Sequence, residues 1–433
     1  MKYDCPVLLW FSSLQPGPYM DEIFHIPQAQ NYCMYNFSHW DMKLTTPPGL
    51  YISSLMIYFP ISLFKSSLIE LCSVFNLRTT NIIFSSLNSG VLFLLLRVIH
   101  PKSSHLISSL YAFTLSLFPV LYFFSFLYYT DQGSTFLVLS ALLATKHSHH
   151  VLSAVIFALS LCFRQTNIIW LCFAASCTLL TKVEGRIRSE AGLVERLAKA
   201  CVYLLLQLRP SIRTLLPYML VCIAFSIFIV LNGGIVLGDK SQHQITLHFS
   251  QVSYYILLTA VFTWSHMIML LKRIISNVKL VVICFILLTL LFILFARFST
   301  VTHPYLLADN RHFTFFFWRK IINYSEYTRY YLSLPYAITA ILITSLLVTG
   351  SSELLALIYW VCVVLVLCLQ PLIEFRYYIM PYLLFRIHST QPSIVTLILD
   401  LLTYSAFNVA TFYLFAYKPF FWEGSIDVQR FMW

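Results

Sequence analysis

Apolar residues dominate this chain in long blocks separated by short polar loops. The blocks fall at about 80–98, 106–127, 134–145, 151–163, 168–181, 214–232, 252–271, 279–297, 331–349, 354–370, 375–388 and 394–416. A helix needs about 20 apolar residues to cross bilayer hydrocarbon. Several blocks are shorter, so tilted or broken helices are predicted there. The pattern predicts an all-α, polytopic membrane protein with roughly 11–13 transmembrane helices. Residues 49–64 are also apolar, but Pro47, Pro48 and Pro60 interrupt them. That piece predicts a helix lying along or dipping into the membrane surface. Val7–Leu14 is apolar but too short to span, and no signal-peptide cleavage site follows it. Either the first span is poorly formed or the sequence begins late.

Loop charge orients the blocks. Arg97–Lys102 is basic, Lys182–Arg213 carries seven basic and three acidic residues, and Lys272–Lys279 carries three basic ones. Positively charged loops stay cytoplasmic. Parity then puts 15–48, 128–133, 164–167, 233–251, 298–330 and 371–376 on the opposite face. This requires 49–64 not to cross, and 151–181 to form two short helices meeting at Arg164. The chain reads as one multi-span domain over 1–433. Its first luminal loop with the surface helix is 15–64, its cytoplasmic loop 182–213, and a second luminal loop 298–330.

Composition removes other classes. Of 433 residues, 59% are hydrophobic and 10% charged, against about 25% charged in a soluble domain. A soluble globule could not hide so much apolar surface, and disorder, collagen and coiled coil fail on the same figures. The net charge of +11 fits basic cytoplasmic loops. No soluble segment is long enough for a nucleic-acid face. The 11 cysteines form no CxxC pair, and Cys162, Cys172 and Cys362 lie inside apolar blocks. They read as small apolar fillers, with neither a disulfide framework nor a zinc pattern. The His-rich Lys146–His150 reads as a solvated loop.

The unusual polar residues cluster on the non-cytoplasmic face. Asp21 and Glu22 sit side by side among aromatics next to the membrane. Two readings fit: a general base for an acceptor hydroxyl, or a helix N-terminal charge pair in water. His25 follows Asp21 by one helical turn. Asp41 precedes the stiff Pro47-Pro48 return and either lines the same pocket or is solvated. Asp131 lies near a helix start, where capping is the plain alternative. Arg164 and Gln165 interrupt an apolar hairpin; an intramembrane Arg suits a lipid phosphate or snorkels to the interface. Asp309, Asn310, Arg311 and His312 suit a hydroxyl-rich ligand. Glu374 and Arg376 repeat that mixture, or neutralise each other. Sequons stand at Asn36-Phe37-Ser38 and Asn323-Tyr324-Ser325.

The strings PYMDEIFHIPQAQ, TTPPGLY, FLYYTDQGSTF, FRQTNIIW, NGGIVLGDKSQH, YLLADNRHFTF, EFRYYIMPY and QRFMW, spread over residues 18–433, strongly resemble the endoplasmic-reticulum α-1,2-glucosyltransferases that use dolichyl phosphate glucose. The resemblance implies a multi-span C-type glycosyltransferase (GT-C) architecture. It implies transfer of the third, terminal glucose to dolichyl-diphosphate-linked oligosaccharide in the endoplasmic-reticulum lumen, before N-glycosylation. It also implies no cofactor and no metal at the leaving group, and catalytic acids in the first luminal loop, which map onto Asp21 and Glu22. The inverting reaction it implies has Asp21 deprotonating the acceptor 2-hydroxyl, Glu22 and His25 orienting that hydroxyl or holding Asp21, and Arg164, Arg311 or Arg376 stabilising the departing phosphate. The partners expected are the two dolichyl lipids and the bilayer. A polyprenyl-linked sugar transporter and a non-enzymatic regulator of a channel are the competing readings.

Overall fold

The computed structural model describes residues 6–64, 67–184, 199, 202–203, 206–207, 209–240, 246–274, 278–424 and 427–433. Most of the predicted basic loop 182–213, and the centre of the loop 272–279, lie outside the described residues.

The apolar blocks become helices close to their predicted bounds. In chain order these are α1 (Pro6–Leu14), α2 (Glu22–Cys33), α3 (Gly49–Ser62), α4 (Leu68–Leu71), α5 (Val74–Ile99), α6 (His105–Ser116), α7 (Pro119–Phe123), α8 (Asp131–Lys146), α9 (His150–Leu161), α10 (Asn167–Glu184), α11 (Ile212–Asn232), α12 (Ser250–Ile274) and α13 (Val278–Phe298). There follow α14 (Pro304–Ala308), α15 (Phe313–Phe317), α16 (Thr328–Tyr331), α17 (Ser333–Gly350), α18 (Glu353–Leu367), α19 (Ile379–His388) and α20 (Ile394–Tyr417). Serines in the polar loops start several of them. Ser104, Ser352 and Ser393 each accept from the backbone N–H three residues on, at 3.2 Å, which satisfies an orphan donor of the first turn.

Among the described residues, six helices are long and apolar enough to cross a membrane, and four shorter apolar helices accompany them. Some of the predicted blocks are broken into shorter helices. Block 106–127 splits into α6 and α7 at Pro119, which has no N–H to continue the ladder. The chain then stays non-helical to Thr130. Buried amides satisfy its carbonyls: Asn81 Nδ2 donates to Leu127 O (2.5 Å) and Tyr129 O (2.8 Å), and Gln132 Nε2 to Leu121 O (2.7 Å). Irregular backbone at membrane depth needs such internal partners. The protein is an all-α polytopic membrane protein. The expected pair of short helices around Arg164 is present as α9 and α10.

The chain packs as two compact units, residues 1–98 with 121–243, and 99–120 with 244–433, where the sequence reads as one domain. The boundaries at 98/99 and 243/244 fall at polar stretches, whereas the one at 120/121 lies inside an apolar block and has no sign in composition. The first unit centres on Ile26, Leu50, Tyr51, Leu77, Phe84 and Phe163. Its glycines allow close approach. Gly49 N–H donates to Cys162 O at 2.8 Å, and a Cβ on Gly133 would lie 2.2 Å from the Phe163 ring.

The cysteine expectation is corrected here. Cys33 at the end of α2 and Cys72 just after α4 form a disulfide, with Cα atoms 6.6 Å apart. They are 39 residues apart and follow no spacing motif, so only the return of the chain through α3 brings them together.

Candidate functional site

In the first unit, the acidic pair divides sharply. Glu22 and Arg78 are both 0% exposed. Arg78 Nε donates to Glu22 Oε1 at 2.9 Å and Nη2 to Oε2 at 2.6 Å. Backbone N–H groups of Tyr19 and Tyr128 complete the carboxylate at 3.0 and 2.6 Å. Arg78 also donates to the carbonyls of Gln15 (2.6 Å) and Gly17 (2.9 Å). The bidentate fork therefore ties the loop before α2 to α5 and to the irregular segment before α8. Both oxygens of the Glu22 carboxylate are thereby paired within the protein.

Asp21 is partly exposed and makes no side-chain cap on α2. Its backbone N–H donates to the Tyr129 hydroxyl at 3.0 Å. The residue before it, Met20, has φ +56°, a left-handed backbone that a non-glycine residue adopts only when its surroundings enforce it. The Glu22 anchor on one side and this bend on the other fix where Asp21 stands. His25 is buried, with Nδ1 2.6 Å from the Tyr51 hydroxyl and its ring 6.0 Å from that of Tyr129.

Asp41 is held on the following loop. Its N–H donates to Gln28 Oε1 (3.0 Å) and its Oδ1 accepts from Lys43 N (2.9 Å). Gln165 Nε2 donates to Thr45 O at 2.7 Å. Gly238, at φ +63°, lies against the Met42 carbonyl, where a Cβ would come within 2.3 Å. Asp131 begins α8 and pairs with Arg164 at 2.8 Å, the acid 3% and the arginine 18% exposed. One edge of Arg164 is thus turned outward while its charge is matched by an acid.

In the second unit, Asp309 and Arg311 make a bidentate pair, Nε–Oδ1 2.9 Å and Nη2–Oδ2 2.7 Å. Burial raises the Asp309 carboxyl, but the Arg311 guanidinium outweighs it and leaves the group below its ordinary value. Arg311 also donates to Gln429 Oε1 (3.0 Å) and stacks on Trp422 at 4.6 Å. Trp422 Nε1 donates to Asn310 Oδ1 at 2.7 Å, and His312 Nδ1 lies 2.9 Å from Trp433 O. Glu374 and Arg376 pair at 2.5 Å. Among the described residues no three His, Cys, Asp or Glu side chains gather as metal ligands would.

Residues 15–387 match the DIE2/ALG10 family. This chain belongs to that family. A mouse protein named Dol-P-Glc:Glc(2)Man(9)GlcNAc(2)-PP-Dol alpha-1,2-glucosyltransferase is 39% identical over 99% of this chain and 96% of its own. A human protein of the same name is 37% identical over 99% of this chain and 96% of its own, and one from Arabidopsis thaliana 34% identical over 99% and 97%. No solved structure matches the chain.

For this DIE2/ALG10 member, sequence reasoning missed the residues that hold the site in place. Arg78, Asn81 and Asn88 lie on one face of α5 and all turn inward. Their spacing within a long apolar helix was the available signal. In the second unit it missed a buried network. Arg386 Nη2 lies 2.7 Å from Asp400 Oδ2, His266 Nε2 2.9 Å from the same oxygen, and Ser265 Oγ donates to Asp400 Oδ1 at 2.6 Å. Arg386 further donates to the Tyr404 hydroxyl (2.9 Å). Asp400 stands alone as an acid inside the α20 block, and that isolation was its signal.

Proposed function

We propose that this chain transfers glucose from dolichyl phosphate glucose to the 2-hydroxyl of the terminal glucose on a diglucosylated dolichyl-diphosphate oligosaccharide, as the names of its relatives describe for them. The observation that carries the mechanism is the division of the acidic pair. Glu22 is consumed by Arg78, and Asp21 is left partly exposed on a backbone fixed from both sides. Asp21 takes the proton of the acceptor hydroxyl. The freed oxygen attacks the anomeric carbon of the β-linked glucose. The bond from that carbon to the phosphate oxygen breaks, its electrons leave with dolichyl phosphate, and the configuration inverts.

His25, steered by Tyr51, orients the acceptor near Asp21. Within the first unit the neutralised pair Asp131–Arg164 with Asp41 and Gln165, and within the second the pairs Asp309–Arg311 and Glu374–Arg376 with Asn310 and His312, each offer hydrogen-bond donors and acceptors suited to sugar hydroxyls. The leaving group is a lipid monophosphate rather than a nucleoside diphosphate, so this reading requires no metal. The Cys33–Cys72 disulfide supports an oxidising compartment for the loop that carries Asp21, in keeping with an active site in the endoplasmic-reticulum lumen. The relatives are transferases by name, which favours this reading over a sugar transporter or a channel regulator. Membranes carrying the chain, given synthetic dolichyl phosphate glucose and a two-glucose acceptor, test it. Addition of one glucose is expected, and none with Asp21→Asn; a silent wild-type chain would end the proposal.

A further inference from the structure

Phosphate recognition in this reaction needs a cation whose charge is still available. The three arginines singled out from the sequence each face a carboxylate at 2.8 Å or less, which cancels most of the field that an anion would feel. Arg329, in the turn that leads into α17, differs. Its Nε makes a long contact of 3.4 Å to the Glu326 carbonyl and its guanidinium lies 5.8 Å from the Tyr330 ring. Among the described residues no carboxylate pairs with it.

Arg329 lines a shallow, solvent-open cleft. Hydroxyls form the rest of its polar wall: Ser250, Ser253 and Tyr254 from the first turns of α12, Thr300 after α13, and Tyr336 from α17. Tyr336 is 4% exposed, yet among the described residues its hydroxyl has no hydrogen-bond partner. A buried hydroxyl without a partner is destabilising, and this one lines the cleft. The cleft sits at the ends of membrane-length helices, where the first turns of Ser250–Leu270 and Thr328–Gly350 meet the last turns of Val278–Phe298. In a spanning bundle, helix ends of this kind lie at headgroup depth. Its closed part holds about one water. A phosphoryl group bound here would sit at the open mouth beside Arg329, with room for no more than one oxygen inward toward Tyr336.

We infer that this cleft is the binding site for the phosphoryl group of the dolichyl donor, with Arg329 as its cation and Tyr336 as its inner hydrogen-bond donor. The inference rests on the proposed glucose transfer and names the residues that meet its lipid phosphate. The chemistry also follows the reaction. The donor phosphodiester carries one negative charge and the departing dolichyl phosphate up to two. Arg329 therefore binds the leaving group more tightly than the donor, which lowers the barrier.

The test uses the full chain in phosphatidylcholine nanodiscs, with Arg329→Gln, Arg329→Lys and Tyr336→Phe. Glucose transfer gives donor and acceptor KM, and thermal shift reads binding of dolichyl phosphate, inorganic phosphate and phosphatidic acid separately. Arg329→Gln is expected to raise donor KM and weaken dolichyl phosphate binding by about tenfold or more, the loss of a charge-assisted hydrogen bond. Acceptor KM stays at its wild-type value, and Arg329→Lys recovers part of the loss. Tyr336→Phe is expected to weaken dolichyl phosphate binding while melting without ligand at or above the wild-type temperature, because the hydroxyl it removes has no partner among the described residues. A merely structural role would give the reverse. The site is overturned by equal dolichyl phosphate shifts in wild type and Arg329→Gln, by an effect on acceptor KM in place of donor KM, or by phosphatidic acid or inorganic phosphate matching dolichyl phosphate. Absence of glucose transfer by the wild-type chain overturns the reaction, a result read independently of the binding shifts.

Discussion

Glu22 and Arg78 meet as a fully buried bidentate ion pair, Nη2 to Oε2 at 2.6 Å, across 56 residues of chain. Each charge has lost its water and is repaid only by the other and by backbone groups. Removing one side leaves the other stranded, at a cost of about 3–5 kcal/mol. Arg78→Leu and Glu22→Leu are therefore expected to lower folded yield and melting temperature strongly. A wild-type melting temperature in either would show that the pair does not anchor the loop.

Asp21 differs from its neighbour in being partly exposed and outside that anchor. Asp21→Asn preserves shape and removes basicity. It is expected to fold as wild type and to lose glucose transfer by about 10²–10⁴-fold, the usual worth of a general base. Near-normal turnover would take Asp21 out of the base role. The contrast between adjacent positions, one losing activity and the other losing stability, is the signature to look for in membrane assays run beside melting curves.

The helices were legible in the sequence because bilayer burial writes itself as composition. Blocks 214–232, 279–297 and 394–416 appear as α11, α13 and α20 within a few residues. The resemblance carried the family and the reaction. What composition could not show was pairing. Nothing local to Glu22 says that Arg78 will consume it, nor that Asp309 will meet Arg311 in a bidentate fork while Arg329 pairs with no acid among the described residues. The break at Pro119 was visible as a proline. The amides that make the break tolerable, Asn81 and Gln132, come from other turns of the chain. Cys33 and Cys72 were hidden for the same reason: tertiary proximity has no sequence period.

The Cys33–Cys72 disulfide closes the loop that carries Asp41 and the α3 entry. A native crosslink of this kind typically adds about 2–4 kcal/mol. Cys33→Ser and Cys72→Ser should each lower the melting temperature, and the double variant should add little to either single one. Non-reducing against reducing electrophoresis after protease nicking between the two positions gives the direct check. Fragments that separate without reductant would exclude the bond.

Arg386 and Asp400 form the second buried charge pair, 0% and 1% exposed, on two helices of the second unit. Either single change, Arg386→Met or Asp400→Leu, strands a charge and is expected to cost about 3–5 kcal/mol. The double variant removes both charges and should recover much of that loss, a coupling that the double-mutant cycle measures directly. Additive losses would mean that each residue is held chiefly by its other partners, Tyr404 for the arginine and Ser265 with His266 for the acid.

Asn36 and Asn323 are both exposed at the surface of loops assigned to the luminal face, each with an exposed serine two residues on. Glycosylation acts on such sequons only where the transferase can reach them, which is the lumen. Wild-type chain made in microsomes should therefore lose mobility relative to endoglycosidase-treated chain. Asn36→Gln and Asn323→Gln should each remove one step of that shift. Because the two positions lie in different units and many spans apart, they test the parity of the helices between them as well as the location of Asp21. Modification at Asn36 with none at Asn323, once a sequon engineered farther out on the 298–330 loop is also silent, would put an odd number of crossings between the loops and break the scheme. Modification of both sequons puts the 15–48 loop and the 298–330 loop each in the lumen.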